Sequence, residues 1–114
     1  HPVSCAAALA TLQTLLDEDL IAQVKPKEER FREHLRHPAI RAVRSAGLWL
    51  AVEMENFDFI QAVIKRCLAH GLITDWFLFN DRSLRIAPPL IITEQQIDEA
   101  CAVVLESIDE ERKN

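Results

Sequence analysis

Hydrophobic residues recur at helical spacing in the first third of the chain. An alanine-rich stretch from Cys5 to Leu16 begins just after Pro2 and predicts a helix with small residues around most of its circumference. We expect such a helix to pack closely against another domain. A second predicted helix has hydrophobic residues at spacings of three, seven and four, namely Ile21, Val24, Phe31 and Leu35. Pro26 lies inside this helix and predicts a kink or a short break.

Two further helices have recognisable ends. Asn56 or Asp58 can cap a third helix, and Gly71 closes it as the residue that follows the last turn. Thr93 and Gln96 have the spacing of a capping box at the start of a fourth helix. The hydrophobic positions of the third helix are Phe59, Ile60, Val63, Ile64, Cys67 and Leu68, and those of the fourth are Ile97, Ala100, Cys101, Val104, Leu105 and Ile108.

Between the helices the pattern becomes that of strands. Residues 48–54 follow Gly47 and are mostly apolar, residues 72–74 and 84–87 are short apolar runs, and residues 75–83 are interpreted as a loop. The predicted order is helix, helix, strand, helix, strand, strand, helix. This order predicts an α+β fold, with a small antiparallel or mixed sheet of about three strands and helices packed on it, in a single domain of residues 1–114.

Composition and charge exclude several classes of protein. The chain has 13 basic and 18 acidic residues, a net charge of −5, which disfavours nucleic acid or an anionic membrane as a partner because both need a positive surface. No apolar run approaches the roughly 20 residues of a membrane span. Only 2 glycines are present, so the chain has no glycine-rich phosphate loop and no dinucleotide-binding fingerprint.

Cysteine usage favours a reducing compartment. Cys5, Cys67 and Cys101 are widely spaced and odd in number, which indicates buried thiols rather than a disulfide framework. The N-terminus also lacks the pattern of a secretory signal. We therefore expect a cytoplasmic protein.

Histidine, serine and cysteine residues do not form a recognisable site in the sequence. His34 and His37 are three residues apart, but no neighbouring Cys, Asp or second His pair completes a zinc ligand set, so we interpret them as solvated residues at a helix end. His70, next to Gly71, is interpreted as a cation near a helix C-terminus. No serine or cysteine has the context of a nucleophile. We predict no metal site and no catalytic residue.

Arg85 is the residue that points to chemistry. It lies in the middle of an apolar run, where an unpaired charge is costly and an anionic partner is expected. Its planar fork suits a carboxylate bound through two contacts. The alternatives are an internal salt bridge to one of the acidic residues, or an edge strand from which the arginine reaches solvent.

Four blocks of the sequence, in order along the chain, resemble one known family. The first block, residues 1–10, has a His-Pro step before an alanine-rich helix, and the second, residues 45–53, has a Gly-Leu step and a hydrophobic strand that ends in Glu. The third block is residues 70–73. The fourth, residues 84–98, contains Leu84-Arg85-Ile86-Ala87-Pro88-Pro89-Leu90, followed by Ile92-Thr93 and Ile97-Asp98. Together they resemble the C-terminal domain of class III pyridoxal-phosphate aminotransferases. The most similar subgroup is that of acetylornithine and ornithine aminotransferases.

The resemblance implies a role for the parent protein and for Arg85. The parent is expected to be a fold-type I, homodimeric enzyme that uses pyridoxal 5'-phosphate to move an amino group between an amino acid, including ω-amino acids, and a 2-oxo acid. Arg85 matches the family arginine that holds the substrate α-carboxylate. The family's cofactor lysine precedes His1 in the chain, so residues 1–114 are expected to be a C-terminal fragment, inactive alone, with no cofactor-binding residue of their own.

Two questions stay open at this point. Trp76, Phe77 and Phe79 depart from the usual family segment, and they either form a wall of the substrate pocket or pack against the large domain. The chain itself has an alternative interpretation as a stand-alone α+β module that binds a carboxylate or has a regulatory role.

Overall fold

The computed structural model describes residues 1–113, which form four helices and a four-stranded sheet. The helices are α1 (Pro2–Asp17), α2 (Leu20–His34), α3 (Phe57–Ala69) and α4 (Glu94–Arg112), and the strands are β1 (Ala42–Ser45), β2 (Leu50–Glu53), β3 (Asp75–Phe77) and β4 (Asn80–Ile86). The sheet order is β1-β2-β4-β3 and every neighbouring pair is antiparallel. The predicted α+β class is confirmed, with four strands rather than about three.

The strand that follows α3 was predicted at the wrong place. The Leu72 amide still donates to the carbonyl of Cys67, 2.8 Å away, because the chain at that point is completing the end of the helix. Pairing therefore begins later, where Asp75 lies opposite Arg85 in β4. The interpretation of residues 75–83 as a loop is wrong, since these residues contain β3 and the first half of β4.

The predicted helix ends agree with the structure. Asn56 accepts a hydrogen bond from the Phe59 amide at 2.9 Å and caps α3, whereas Asp58 lies in its first turn. Thr93 and Gln96 form the reciprocal capping box of α4, with distances of 3.0 and 3.2 Å. Pro26 does not interrupt α2, which continues through it as one helix.

One face of the sheet carries the hydrophobic core. Leu50 and Val52 of β2 and Leu84 of β4 have no exposed surface, and they face the helices. The helices contribute buried side chains to the same cluster, namely Phe31, Ile60, Val63, Cys67, Ile97, Cys101, Val104 and Ile108. Because side chains alternate along a strand, the residues between these core positions, such as Ala51 and Arg85, lie on the opposite face of the sheet.

An ion pair joins α2 to α4. The Nε and Nη2 atoms of Arg30 donate to the two oxygens of Asp98, each at 2.7 Å, and His34 lies 3.2 Å from the same carboxylate. The hydrogen bonds from Arg30 lower the pKa of Asp98 below its ordinary value. Asp98, part of the last sequence block, thus has a structural partner in the fold.

A buried carboxylate joins α2 to the end of β1. Glu28 is nearly covered and accepts a hydrogen bond of 2.6 Å from the Ser45 hydroxyl, which also accepts one from Arg32 at 2.9 Å. The Ser45 hydrogen bond is the main cause of a lowered Glu28 pKa. The turn that follows contains Gly47, whose φ is +64°. A Cβ atom added at Gly47 would lie only 2.9 Å from a methyl carbon of Val24.

Helix α1 buries none of its side chains, and Val3, Leu9, Leu12 and Leu16 are exposed. Its packing against another domain therefore stays a prediction.

Cys67 and Cys101 are buried, but Cys5 on α1 is exposed, so the expectation of three buried thiols is wrong for Cys5. None of the described helices is long and apolar enough to cross a membrane.

The two glycines provide a matched test of the turn after β1. Both have positive φ, so alanine at either position is expected to cost about 1–2 kcal/mol of unfolding free energy through backbone strain. Gly71→Ala meets no atom within 4 Å, whereas Gly47→Ala meets Val24. Urea denaturation should therefore show a larger loss for Gly47→Ala. Equal losses would contradict the close approach of α2 to this turn.

The ion pair of Asp98 predicts a contribution to acid stability. A carboxylate with a lowered pKa stabilises the fold above its unfolded pKa of about 3.9, and this contribution disappears as the pH falls through the folded value. Asp98→Asn should lower the melting temperature at pH 7 and flatten its decrease below about pH 5. Glu29→Gln removes an exposed charge from α2 and is the control; the same flattening in that variant would contradict the assignment.

Candidate functional site

The candidate site is the face of the sheet that the helices do not cover. The strand register places Arg44 of β1, Ala51 of β2, Arg85 of β4 and Asp75 of β3 in one row across the four strands. Ala51 is the residue between the two arginines. Its small side chain leaves space between them on this face.

Arg85 lies half-exposed in this row. Its Nη2 atom is 3.5 Å from Oδ2 of Asp75, while Oδ1 of Asp75 accepts a hydrogen bond of 2.8 Å from the amide of Trp76. Among the described residues no hydrogen bond occupies the remaining donors of the Arg85 fork. The anionic partner expected from the sequence is present, but it makes one long contact and leaves the arginine accessible to a second carboxylate.

Arg44 is neutralised more completely than Arg85. Its Nη1 atom donates to Glu53 at 2.6 Å, and its Nη2 atom lies 3.4 Å from the hydroxyl of the buried Ser83. The hydrogen bond from Arg44 lowers the pKa of Glu53. Of the two arginines, Arg85 is therefore the better placed to bind an anion.

The aromatic residues of the predicted loop lie on both sides of the sheet. The ring of Trp76 meets Phe57 of α3 edge to face, with centroids 5.9 Å apart, so this residue belongs to the packing of the helices. The ring of Phe77 lies 6.1 Å from that of Trp49. Phe77 and Phe79 also line a shallow groove with Arg44 and Ala51 on the open face. Their role as a wall of a substrate pocket stays a prediction.

An apolar cavity of about 280 Å³ lies between the end of β4 and α4. It is lined by Arg85 and by apolar residues that include Leu72, Ile86, Pro88 and Cys101. Burial raises the pKa of the Cys101 thiol to about 12, and the nearby charge of Asp98 adds to this effect. Cys101 therefore remains a neutral, unreactive thiol at pH 7.

The lysines do not suit a pyridoxal cofactor. Lys25 contacts Glu28 at 3.6 Å, and Lys27 donates to the Leu90 carbonyl at 2.6 Å. Lys65 and Lys113 are exposed, one on α3 and one after α4. Within residues 1–113 no lysine belongs to the row of Arg85, so the described chain offers no amino group for the cofactor aldehyde beside this arginine.

Three histidines each contact a carboxylate on α4. His34 approaches Asp98, His37 lies 2.7 Å from Asp109, and His70 lies 3.0 Å from Glu110. The side chain of His37 is only 10% exposed, so its interpretation as a solvated residue is wrong. The hydrogen bond with His37 lowers the pKa of Asp109. His34 and His37 do not share a carboxylate.

Sequence reasoning identified Arg85 but missed Asp75 and Arg44. Both belong to the site through strand pairing, since Asp75 is ten residues from Arg85 in sequence and lies opposite it in the sheet. The sequence signal for Asp75 is the hairpin itself, with aromatic residues before Asn80 and Asp81.

The sequence of residues 1–108 matches the family described as aminotransferase class III. The chain belongs to this family. The acetylornithine aminotransferase of Bifidobacterium longum is 39% identical over 107 residues, covering 91% of this chain and 24% of the relative. The ornithine aminotransferase of Bordetella pertussis is 37% identical over 105 residues, covering 90% of this chain and 25% of the relative.

Solved structures of aminotransferases have the same fold. A transaminase from directed evolution by ancestral reconstruction superposes with a TM-score of 0.89 at 28% identity, covering 99% of this chain and 28% of that structure. The adenosylmethionine-8-amino-7-oxononanoate aminotransferase of Methanocaldococcus jannaschii gives a TM-score of 0.80 at 26% identity over 93% of this chain and 27% of its own. The chain thus spans about a quarter of the length of these relatives.

The long contact between Asp75 and Arg85 predicts competition with bound carboxylates. Asp75→Asn removes the resident negative charge, so the affinity of Arg85 for acetate should rise by up to about fivefold, the equivalent of about 1 kcal/mol for an exposed ion pair. The measurement is an NMR titration that follows the Nε–H signal of Arg85. Asp58→Asn makes the same charge change on α3 and serves as the control; equal affinities in both variants and the parent would contradict the competition.

Proposed function

We propose that this chain is the C-terminal domain of a pyridoxal-phosphate-dependent class III aminotransferase, to which it contributes the carboxylate-binding Arg85. The parent enzyme transfers an amino group between an amino acid, including ω-amino acids, and a 2-oxo acid. The observation that supports this most is the placement of Arg85 on the open sheet face with most of its donors unused. Pyridoxal phosphate, when bound to the whole enzyme, supplies the electron sink for this reaction.

Arg85 is proposed to bind and orient the substrate. The α-carboxylate of the amino acid and that of the 2-oxo acid each accept two parallel hydrogen bonds from the guanidinium fork. Two contacts in one plane fix the rotation of the substrate about its carboxylate, and so they fix the direction of the bonds at the α-carbon. The same residue thereby serves both half-reactions.

The surroundings of Arg85 support this assignment. Glu53 already neutralises Arg44, so of the two arginines in the described row Arg85 is the one with an unfilled fork, and Ala51 leaves room beside it. Trp49 and Phe77 give this face an apolar side, against which the carbon chain of a substrate can lie.

We propose that the parent acts as a homodimer in the cytoplasm.

Substitution of Arg85 by lysine in the full-length enzyme tests this proposal. Lysine keeps the charge but loses the planar fork, so kcat/KM should fall by about 30- to 1,000-fold. This equals roughly 2–4 kcal/mol, the range for truncating one partner of a charge pair that the bound substrate buries. The absorption of the bound cofactor should not change. Arg82 is an exposed arginine of the same strand, so Arg82→Lys is the matched control and should retain full activity.

Steady-state kinetics of both half-reactions separate the outcomes. A loss that is confined to Arg85→Lys and appears with both the amino donor and the 2-oxo acid supports carboxylate binding. An Arg85→Lys enzyme with the kcat/KM of the parent in both half-reactions would end the proposal.

A further inference from the structure

Three side chains of the types that can bind metal ions come together at the C-terminal end of α3. His70 follows the last turn of α3, and Glu106 and Glu110 are four residues apart on α4. One ligand atom from each of the three residues lies within 4.8 Å of the other two. The set combines an imidazole nitrogen with two carboxylate oxygens, which is a mixed ligand set that zinc and similar divalent ions accept.

Backbone hydrogen bonds fix the end of α3 that carries His70. The His70 amide donates to the carbonyls of Arg66 and Cys67, at 3.0 and 3.1 Å, and so fixes the end of α3. Buried Cys67, three residues before His70, and buried Ser107, next to Glu106, belong to the packed helix pair. The two glutamates lie one helical turn apart, on the same face of α4.

The charges around the cluster favour a cation. Arg66 donates to Glu111 at 2.7 Å and contacts Oε2 of Glu110 at 3.3 Å, which leaves Oε1 of Glu110 directed at His70, 3.0 Å away. Within residues 1–113, Glu106 makes no ion pair. Arg66 is shared between Glu111 and Glu110, whereas no described ion pair offsets the charge of Glu106, which a divalent ion would neutralise.

Against the expectation from the sequence that the chain has no metal site, we propose that His70, Glu106 and Glu110 form a binding site for a divalent transition-metal ion of the zinc type. The imidazole Nε2 and one oxygen from each glutamate supply three ligands, and water completes a tetrahedral set. Arg66 is an outer partner that orients Glu110 through its second oxygen, as partners of ligating carboxylates commonly do. The ion replaces the hydrogen bond between His70 and Glu110 and links the end of α3 to α4.

The other histidines of this chain lack the same arrangement. Among the described carboxylates His37 contacts that of Asp109, and its Nδ1 atom accepts a hydrogen bond from the Ala39 amide. The carboxylate that His34 approaches is already bound through both oxygens by Arg30. Among the described residues only the cluster at His70 unites three ligands. The proposed site therefore lies at one end of the pair of helices α3 and α4. It is separate from the open sheet face that carries Arg85.

Calorimetric titration of the protein with Zn²⁺ tests the proposal. One saturable site is expected, and Glu106→Gln and His70→Gln should each weaken it by about tenfold or more, because loss of even an outer partner of a ligand costs 10–100-fold. Glu106 makes no ion pair in the described chain, so Glu106→Gln should fold as the parent does. Glu99→Gln removes an equal charge from an exposed position of α4 and should leave the affinity unchanged.

Thermal unfolding provides a second readout. At a free Zn²⁺ concentration of 100 times the dissociation constant, the ratio of folded to unfolded protein should rise about 100-fold, and Glu106→Gln should lose most of this gain. The absence of saturable binding, or an equal loss of affinity in Glu99→Gln and Glu106→Gln, would overturn the proposal. Either result would leave the assignment of Arg85 unaffected, since the two sites share no residue.

Discussion

The burial of Leu50, Val52 and Leu84 beneath the helices determines which way every other residue of the sheet faces. Side chains alternate along a strand, so these three core positions direct Ala51 and Arg85 to the uncovered side. A slip of one residue in the pairing would turn Arg85 into the apolar core, where an uncompensated charge is strongly unfavourable. The hydrophobic core and the accessibility of the candidate carboxylate site are therefore two consequences of one register.

Helix α2 extends this constraint to the rest of the domain. Glu28 attaches it to Ser45 at the end of β1, and Arg30 attaches it to Asp98 on α4. These contacts give several residues of the sequence blocks a structural role. Asp98 pairs two helices and Thr93 caps one, whereas Arg85 has a charge that the fold leaves largely unused.

The features that sequence reasoning predicted correctly depend on neighbours in the chain. The caps at Asn56 and Thr93 need only residues three positions away, and the helical faces need only their own spacing. The misplaced strand depends on a distant partner. Strand β3 forms at Asp75–Phe77 because β4 pairs with it there, and no local pattern contains that register. Pro26 does not break α2, which runs from Leu20 to His34 as one helix, and the alternative of a kink at Pro26 stays a prediction.

The candidate site likewise combines a residue that the local sequence singles out with a residue that only strand pairing brings to it. The sequence singles out Arg85 because it is a charged residue in an apolar run, and its role stays a prediction. Asp75 becomes its partner only when the strands pair. The aromatic residues Trp76 and Phe77 are adjacent in sequence but lie on opposite sides of the sheet, the first against Phe57 and the second against Trp49. Composition alone does not separate them, and pleating does.

A crystal structure of the full-length enzyme with a bound 2-oxo acid substrate would show whether Arg85 holds the substrate carboxylate. Both oxygens of the α-carboxylate should lie about 2.7–2.9 Å from the Arg85 fork, the distance of charge-assisted hydrogen bonds. The contact between Arg85 and Asp75 should be lengthened or lost. A substrate carboxylate held by other groups, with Arg85 still directed at Asp75, would refute carboxylate binding by Arg85.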